Sequence, residues 1–315
     1  MASTPSTQPS LSARPVSRDE VVAKCAFFTR MHLWPLRKAL DPESWLKNFR
    51  NSEMEYAVHL LNSFMYFHSN LVQEMFASSV QALSRGIAKN SGSFITAASA
   101  WSTFFDSAII VPVAGENYNP SDSGYYFARS ARQHLGFRED QIMSPSDALA
   151  AISSNLRPII FVDDFVGTGN QFVGTWYRDF EISGGSKTSF SKIAGVRGTR
   201  FFYCPVICTQ SGHDEITLQC PSVTLSPAHI LSERYSALHP DSLIWPDRLR
   251  PGAIPFLEAA SKRAGIPDTG GSSPDDWRGY EAKGLAIAIH ETIPDATLCL
   301  LRWKHNGWHP LMVKS

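Results

Sequence analysis

The stretch "IIFVDDFVGTGNQF", residues 159 to 172, constrains the fold more than any other part of the chain. Its first four residues (Ile159, Ile160, Phe161, Val162) are apolar without alternation, so the strand they form must be covered on both faces, as in a parallel sheet packed between helices. Two acids, Asp163 and Asp164, then stand at the strand's carboxyl end, the edge at which open α/β sheets bind ligands. Gly167, Thr168, Gly169 and Asn170 read as a turn, and the "QFVGTWYRDF" that follows is compatible with a helix. Backbone amides and a helix N-terminus would share one small concavity, where positive potential favours a phosphate.

The surrounding sequence continues the strand and helix alternation. "AIIVPVAG" reads as a buried strand, "NYNPSDS" as a polar turn and "GYYFARSARQHLGF" as a helix ending at Gly136; "SPSDALAAIS" then leads into the acidic strand. A further strand, "TRFFYCPVICT", extends the βαβ pattern and predicts an α/β fold with a parallel sheet flanked by helices over residues 91–250. Ahead of it, residues 17–90 read as a helical N-terminal region. Ala57, Leu60, Leu61, Phe64 and Met65 fall on one helix face behind a candidate cap at Ser52, and Asp41 with Pro42 makes a second helix start. Residues 1–16, rich in Ser, Thr and Pro, read as a disordered tail. Residues 251–315 read as a mobile, loop-rich connection around the short helical segment "FLEAASKRAG", followed by strand-like alternation that brings His290, Trp303 and Trp308 close in sequence.

Composition narrows the classes of function. The 29 basic and 29 acidic side chains balance, so no global attraction draws the chain to a nucleic-acid backbone. Five scattered cysteines with no secretory signal ahead of them point to a reduced, cytoplasmic setting and free thiols. "YCPVIC" with His213 and Cys220 downstream is the nearest approach to a zinc pattern, but its first part reads as a strand. No segment is long and apolar enough to span a bilayer.

Two other readings of the acidic pair compete. A strand followed by acids also describes the second motif of a P-loop ATPase, yet the nearby "SGGSKT" lacks the Gly before Lys and lies after the acids. The acids would otherwise simply cap the following helix.

Taken whole, "FVDDFVGTG" resembles the ribose-phosphate motif of type I phosphoribosyltransferases: an apolar strand, two acids, three residues, then Thr-Gly. The resemblance implies that Asp163 and Asp164 bind the 2- and 3-hydroxyls of phosphoribosyl pyrophosphate, beside a magnesium ion (Mg2+) on the pyrophosphate and ribose oxygens. It also implies that Val166, Gly167, Thr168, Gly169 and Asn170 surround the 5-phosphate. Gln171 stands where a second Thr or Ser is usual, and its longer reach changes the phosphate geometry. The pyrophosphate would fall to the loop after the first core strand, where Ser121, Ser123 and Gly124 offer amides and Arg129 and Arg132 offer charge.

More narrowly, "WLKNF", "EYAVHLLNSFMYF" and "HETIPDATLCLLRWKHNGWHPL" look like the phosphoribosyltransferase-like domain of bacterial conflict and anti-phage systems, with Asp295 and Cys299 where Asn and Pro are more usual. That resemblance implies a ribose 5-phosphate ligand, phosphoribosyl pyrophosphate or a nucleotide, and pentosyl transfer or hydrolysis at ribose C1. It further implies a C-terminal hood; His290, Trp303 and Trp308 are candidates to stack on a base there, and structural anchoring is the stronger reading of them. A nonenzymatic sensor with the same pocket is the alternative, and a nucleic-acid modifying effector a third. The helical front offers a face for a protein partner or a second copy of the chain.

Overall fold

The computed structural model describes residues 16–36, 38–113, 123–182, 185–195, 199–290 and 292–313. The expected disordered tail lies outside them, apart from Val16, which packs on the core of the terminal helices.

Three helices lead: α1 (Arg18–Arg30), α2 (Pro42–Leu46) and α3 (Met54–Asn62). Ser17 and Glu20 cap α1 reciprocally, and the Asp41 carboxylate accepts the Ser44 N–H at 3.1 Å, with Pro42 in the first turn of α2. Ser52 does not cap α3; it lies in a 3-10 turn, and the helix starts at Met54. The helical reading of residues 64–67 also gives way, because Met65–Phe67 is a short strand, β1. Helices α4 (Ser69–Ile87) and α5 (Phe94–Ser107) follow.

The α/β part then runs through β2 (Ile109–Pro112), α6 (Ser123–Leu135), α7 (Pro145–Ser154), β3 (Ile159–Val166) and α8 (Asn170–Tyr177). After an antiparallel pair of two-residue strands, β4 (Phe180–Glu181) with β5 (Lys187–Thr188), come α9 (Phe190–Ile193), β6 (Phe201–Thr209), α10 (Gln210–Gln219), β7 (Val223–Leu225) and β8 (His229–Leu231). The chain closes with α11 (Arg250–Ala264) and β9 (Ile287–Ile289).

The central sheet is parallel, in the order β2, β3, β6, with β7 beside the first half of β6 and β8 beside its last. Ile109, Ile159 and Phe201 share a register row, so the period-2 alternation sorts side chains into two layers. Ile110, Ile160, Val162, Phe202 and Cys204 pack with Phe76 of α4, Phe104 of α5 and Phe127 of α6. Ile109, Val111, Phe161, Phe201 and Tyr203 face Leu149 of α7, Phe172 and Trp176 of α8, and Ile216 of α10. Covering both faces is what the unbroken apolar run requires, and the α/β expectation holds.

A second core joins the two ends of the chain: α1 to α3 pack with α11 and the residues beyond it. The Trp45 indole donates to Leu300 O at 2.9 Å, Asn48 to His309 O at 2.7 Å, and Arg263 pairs with Glu53 at 2.6 Å. Strand β9 pairs in parallel with β1 and alternates between the two cores, Ile287 and Ile289 toward the helix layer over the sheet, Ala286 and Ala288 toward the terminal helices. Helix α4, from the stretch 17–90, covers the sheet together with α5, while α11, from the stretch 251–315, packs on the front helices. Helix α11 is longer than the short helical segment expected there. It holds Pro251 in its first turn and Pro255 inside, and burial of Ala253, Phe256, Leu257 and Ala260 offsets the backbone bond that Pro255 cannot make.

The five cysteines are free and buried. Cys204 packs in one layer of the sheet and Cys208 in the other, so the "YCPVIC" pair cannot turn both sulfurs to one metal ion. Burial pushes the thiols of Cys25 and Cys299 up to about 11 and those of Cys204, Cys208 and Cys220 up to about 12. Since the thiolate is the reactive form, native protein at pH 8 should be nearly inert to a disulfide reagent and should release five equivalents only on denaturation; rapid native reaction would contradict this packing.

Candidate functional site

Adjacent residues of a strand point to opposite faces, and the two acids differ accordingly. Asp163 is 3% exposed and lies opposite Pro205 in the register of β6. Its Oδ1 accepts the Asp164 N–H at 3.0 Å and its Oδ2 accepts the Tyr203 hydroxyl at 3.3 Å. Tyr203 stacks on Phe172, ring centroids 4.1 Å apart; burial first, and then the Asp163 charge, holds its phenol well above the ordinary range and keeps it a donor. Asp164 is half-buried and meets the Thr292 hydroxyl at 3.4 Å. One carboxylate is thus fixed in the sheet while its neighbour opens toward the carboxyl edge.

Past Val166 the chain turns through residues 167–169. Gly169 adopts φ +85° and precedes α8 without any side-chain cap; a Cβ there would lie 3.0 Å from Ile216 Cγ1 and 3.1 Å from Gly212 O. A Cβ on Gly212 would come 2.7 Å from Gly167 O, so the turn and the start of α10 touch backbone to backbone. Thr209 ties them together: its hydroxyl donates to Gly167 O and accepts the Gly212 N–H at 3.0 Å. Thr168 Oγ1 accepts the Asn170 N–H at 3.3 Å. Gln171 is exposed on the first turn of α8.

Helix α6 begins at the same edge. A Cβ on Gly124 would collide with Val113 O just after β2, so only glycine lets the helix start this close to the strand end. Ser123 opens α6, and Ser121 lies outside the described residues. Arg129 is exposed farther along α6, whereas Arg132 is engaged by Glu139, which opens the turn behind the helix's C-terminus. The acids, the 167–170 turn and the start of α6 therefore come together, and Arg132 does not.

The C-terminal segment adds residues that sequence reasoning did not assign. Glu281 and Ala282 both lie in the left-handed region, at φ 48° and 51°, an uncommon conformation for non-glycine residues, and bend the chain onto the motif. Glu281 Oε1 accepts from Asn170 Nδ2 at 2.9 Å, and Lys283 Nζ donates to Ser211 Oγ at 2.7 Å. His290, at φ 44°, donates its N–H to Phe67 O at 2.6 Å and accepts the Tyr66 hydroxyl at 2.8 Å, with its ring 6.4 Å from Tyr126. The two tryptophans do not join it. Trp303 donates to Ala264 O and Trp308 to Leu300 O, so both anchor the terminal core. His213 lies beside Asp214 on α10. No local periodicity marks Glu281, Lys283 or Thr292, because each reaches the motif only through tertiary packing.

A family model described as PRTase-CE matches residues 42–314. The chain belongs to the PRTase-CE family. It is a phosphoribosyltransferase-like protein, and the match runs from α2 through the sheet to the C-terminal segment. No curated protein matches it. Among solved structures it is similar to "Structure of AQ2163 protein from Aquifex aeolicus" at 10% identity, over 61% of this chain and 82% of that one, with a TM-score of 0.30, too loose a likeness to bear on the site. No helix of the described residues is long and apolar enough to cross a membrane, and none of their His, Cys, Asp and Glu side chains form a metal-binding group of three or more.

For this PRTase-CE chain the turn carries a testable cost. Gly169→Ala places a methyl at a positive φ and against Ile216, and should lower stability by about 1–2 kcal/mol, read as a lower urea midpoint with unchanged m. A midpoint equal to that of the parent protein would show that the turn does not hold this geometry in solution.

Proposed function

We propose that this protein binds the ribose 5-phosphate moiety of phosphoribosyl pyrophosphate or a nucleotide at Asp163, Asp164 and the turn from Val166 to Gln171, and that it transfers or hydrolyses at ribose C1. The observation that carries the reading is the sequel of β3: two carboxylates at a sheet's carboxyl edge, followed at once by a helix N-terminus whose N-cap residue, Gly169, contributes no side-chain bond. Carboxylates accept from a vicinal diol, and the open amides favour an anion. Ser123, Gly124 and Arg129 on α6 are the groups available to a pyrophosphate.

In the proposed reaction a base nitrogen or a water oxygen attacks C1, the C1–O bond to pyrophosphate breaks, and its electron pair leaves with the pyrophosphate. Asp164, the more open acid, favours the positive charge that develops at the sugar. Asp163, held by Tyr203, keeps the edge in register. Two carboxylates suit Mg2+, which commonly binds one or two carboxylates and takes its other oxygens from substrate phosphates and water; bound there, it would supply charge neutralisation to the leaving group.

The same residues serve a sensor that only binds, a reading favoured by exposed Gln171 in place of a hydroxyl residue and by Glu281 already engaging Asn170. We further propose a role as effector in a bacterial conflict system, acting in the cytoplasm. Exposed Phe27, Met31 and Leu36 give the helical front a face for a protein partner or second copy. A balanced net charge gives no support to a polynucleotide substrate.

Replacing both acids, Asp163→Asn with Asp164→Asn, should abolish calorimetric binding of magnesium phosphoribosyl pyrophosphate while circular dichroism stays native. Unchanged binding would remove the assignment. To separate enzyme from sensor, mass spectrometry of the small molecules after incubation with a pool of bases and nucleotides should reveal free pyrophosphate or a new glycosidic product. Binding without turnover, with candidate partner proteins also present, would favour the sensor.

A further inference from the structure

The site as described is rich in negative charge. Asp163, Asp164 and Glu281 all lie at the edge where a phosphate would have to sit, and the amides of the turn and the α8 dipole offer only partial positive charges. A full cation within reach would change that balance, and residues 266–303 carry three. Arg278 is paired with Asp268 and Asp276, and Arg302 with Asp275. Lys283 is different: its ammonium donates to the neutral hydroxyl of Ser211, and among the described residues it enters no ion pair.

Its backbone is also fixed in place. On one side Glu281 holds Asn170; on the other, Gly284 N–H donates to Arg278 O at 2.7 Å and Gly284 O accepts the Ala237 N–H at 2.8 Å. Gly284 has φ +59°, and a Cβ there would lie 2.6 Å from Leu238 Cγ, so this turn cannot shift without disturbing the packing beneath it. From that anchor, a short chain of contacts leads to the motif: Lys283 Nζ to Ser211 Oγ at 2.7 Å, Ser211 Oγ to Thr209 Oγ1 at 3.2 Å, and Thr209 Oγ1 to Gly167 O.

We propose that Lys283 is a phosphate-binding residue of this site, its ammonium pairing with phosphate oxygens of a ligand seated on the 167–170 turn. The proposal rests on the ribose 5-phosphate reading above and adds to it the group that supplies the full positive charge. Ser211 then acts as a parking acceptor, holding the flexible lysine stem near the turn until an anion arrives. Lysine suits this role as a compact charge on a long stem, able to follow a phosphate without a fixed fork geometry.

The test is calorimetry with magnesium phosphoribosyl pyrophosphate and with ribose 5-phosphate, on the full chain and on Lys283→Met, Lys283→Arg and Ser211→Ala. Losing a charged hydrogen-bond partner should weaken both ligands in Lys283→Met by about ten- to hundredfold. Lys283→Arg should stay within about threefold of the parent, because charge and not shape is required. Ser211→Ala should bind at least as tightly as the parent, since it frees the ammonium. Native circular dichroism and an unchanged urea midpoint in Lys283→Met would exclude a folding defect; should that variant misfold, the arginine and alanine variants still decide. Binding by Lys283→Met within about threefold of the parent, or arginine as weak as methionine, overturns the proposal. If the aspartate pair is needed for binding and Lys283 is not, only this inference falls; if the parent protein binds neither ligand, the reading beneath it falls as well.

Discussion

The parallel ladder between β3 and β6 carries the rest of the structure. It sets Ile159 against Phe201 at one end and Val166 against Cys208 at the other, and so fixes how far the acidic strand projects beyond its neighbours. Because the two strands march in step, the Tyr203 hydroxyl arrives beside Asp163, and Thr209, at the end of β6, arrives beside Gly167. A one-residue slip would exchange the two faces, driving Asp164 into the layer of Phe172 and leaving Phe161 on the wrong side. The site's geometry is thus a consequence of sheet register before it is a property of any loop.

A second constraint acts at right angles to the first. Strand β9 belongs to neither core alone, since its isoleucines enter the layer over the sheet and its alanines enter the terminal helices. The small side chains let the terminal core approach closely, while the large ones fill the space over the sheet. This shared strand places residues 281–290 and Thr292 over the carboxyl edge, where Thr292, Lys283 and Glu281 touch three different parts of the motif's surroundings.

What could be read directly from the sequence was whatever depends on neighbouring residues. An apolar run with acids after it identifies β3, and glycine spacing identifies the turn, because both obey short-range sterics. Residues 64–67 mislead a local reading because Phe64 and Met65 complete a helical face as well as they fill a strand; the pairing with β9, more than two hundred residues away, decides the matter. Helix α11 is obscured by Pro251 and Pro255, which signal a break locally and are overridden by burial of the face between them. The partners of the acids, Tyr203 and Thr292, and the hood residues Glu281 and Lys283, have no sequence signature, since their positions follow from the register and from the packing of distant segments.

The terminal core also imposes an order in time. Its first contributors end near Phe64 and its next, Ala237, follows only after the whole sheet has been made. At ribosomal speeds of about 5–20 residues per second, the intervening stretch takes on the order of 10–30 s to emerge. Until that interval ends Trp45, Leu46 and Leu60 have no permanent cover, and by its end the sheet has the helices it needs. A sheet that folded as it emerged would have its acidic strand in place while the segment that overlies it was still inside the ribosome, and any ligand it met then would encounter an edge without Lys283.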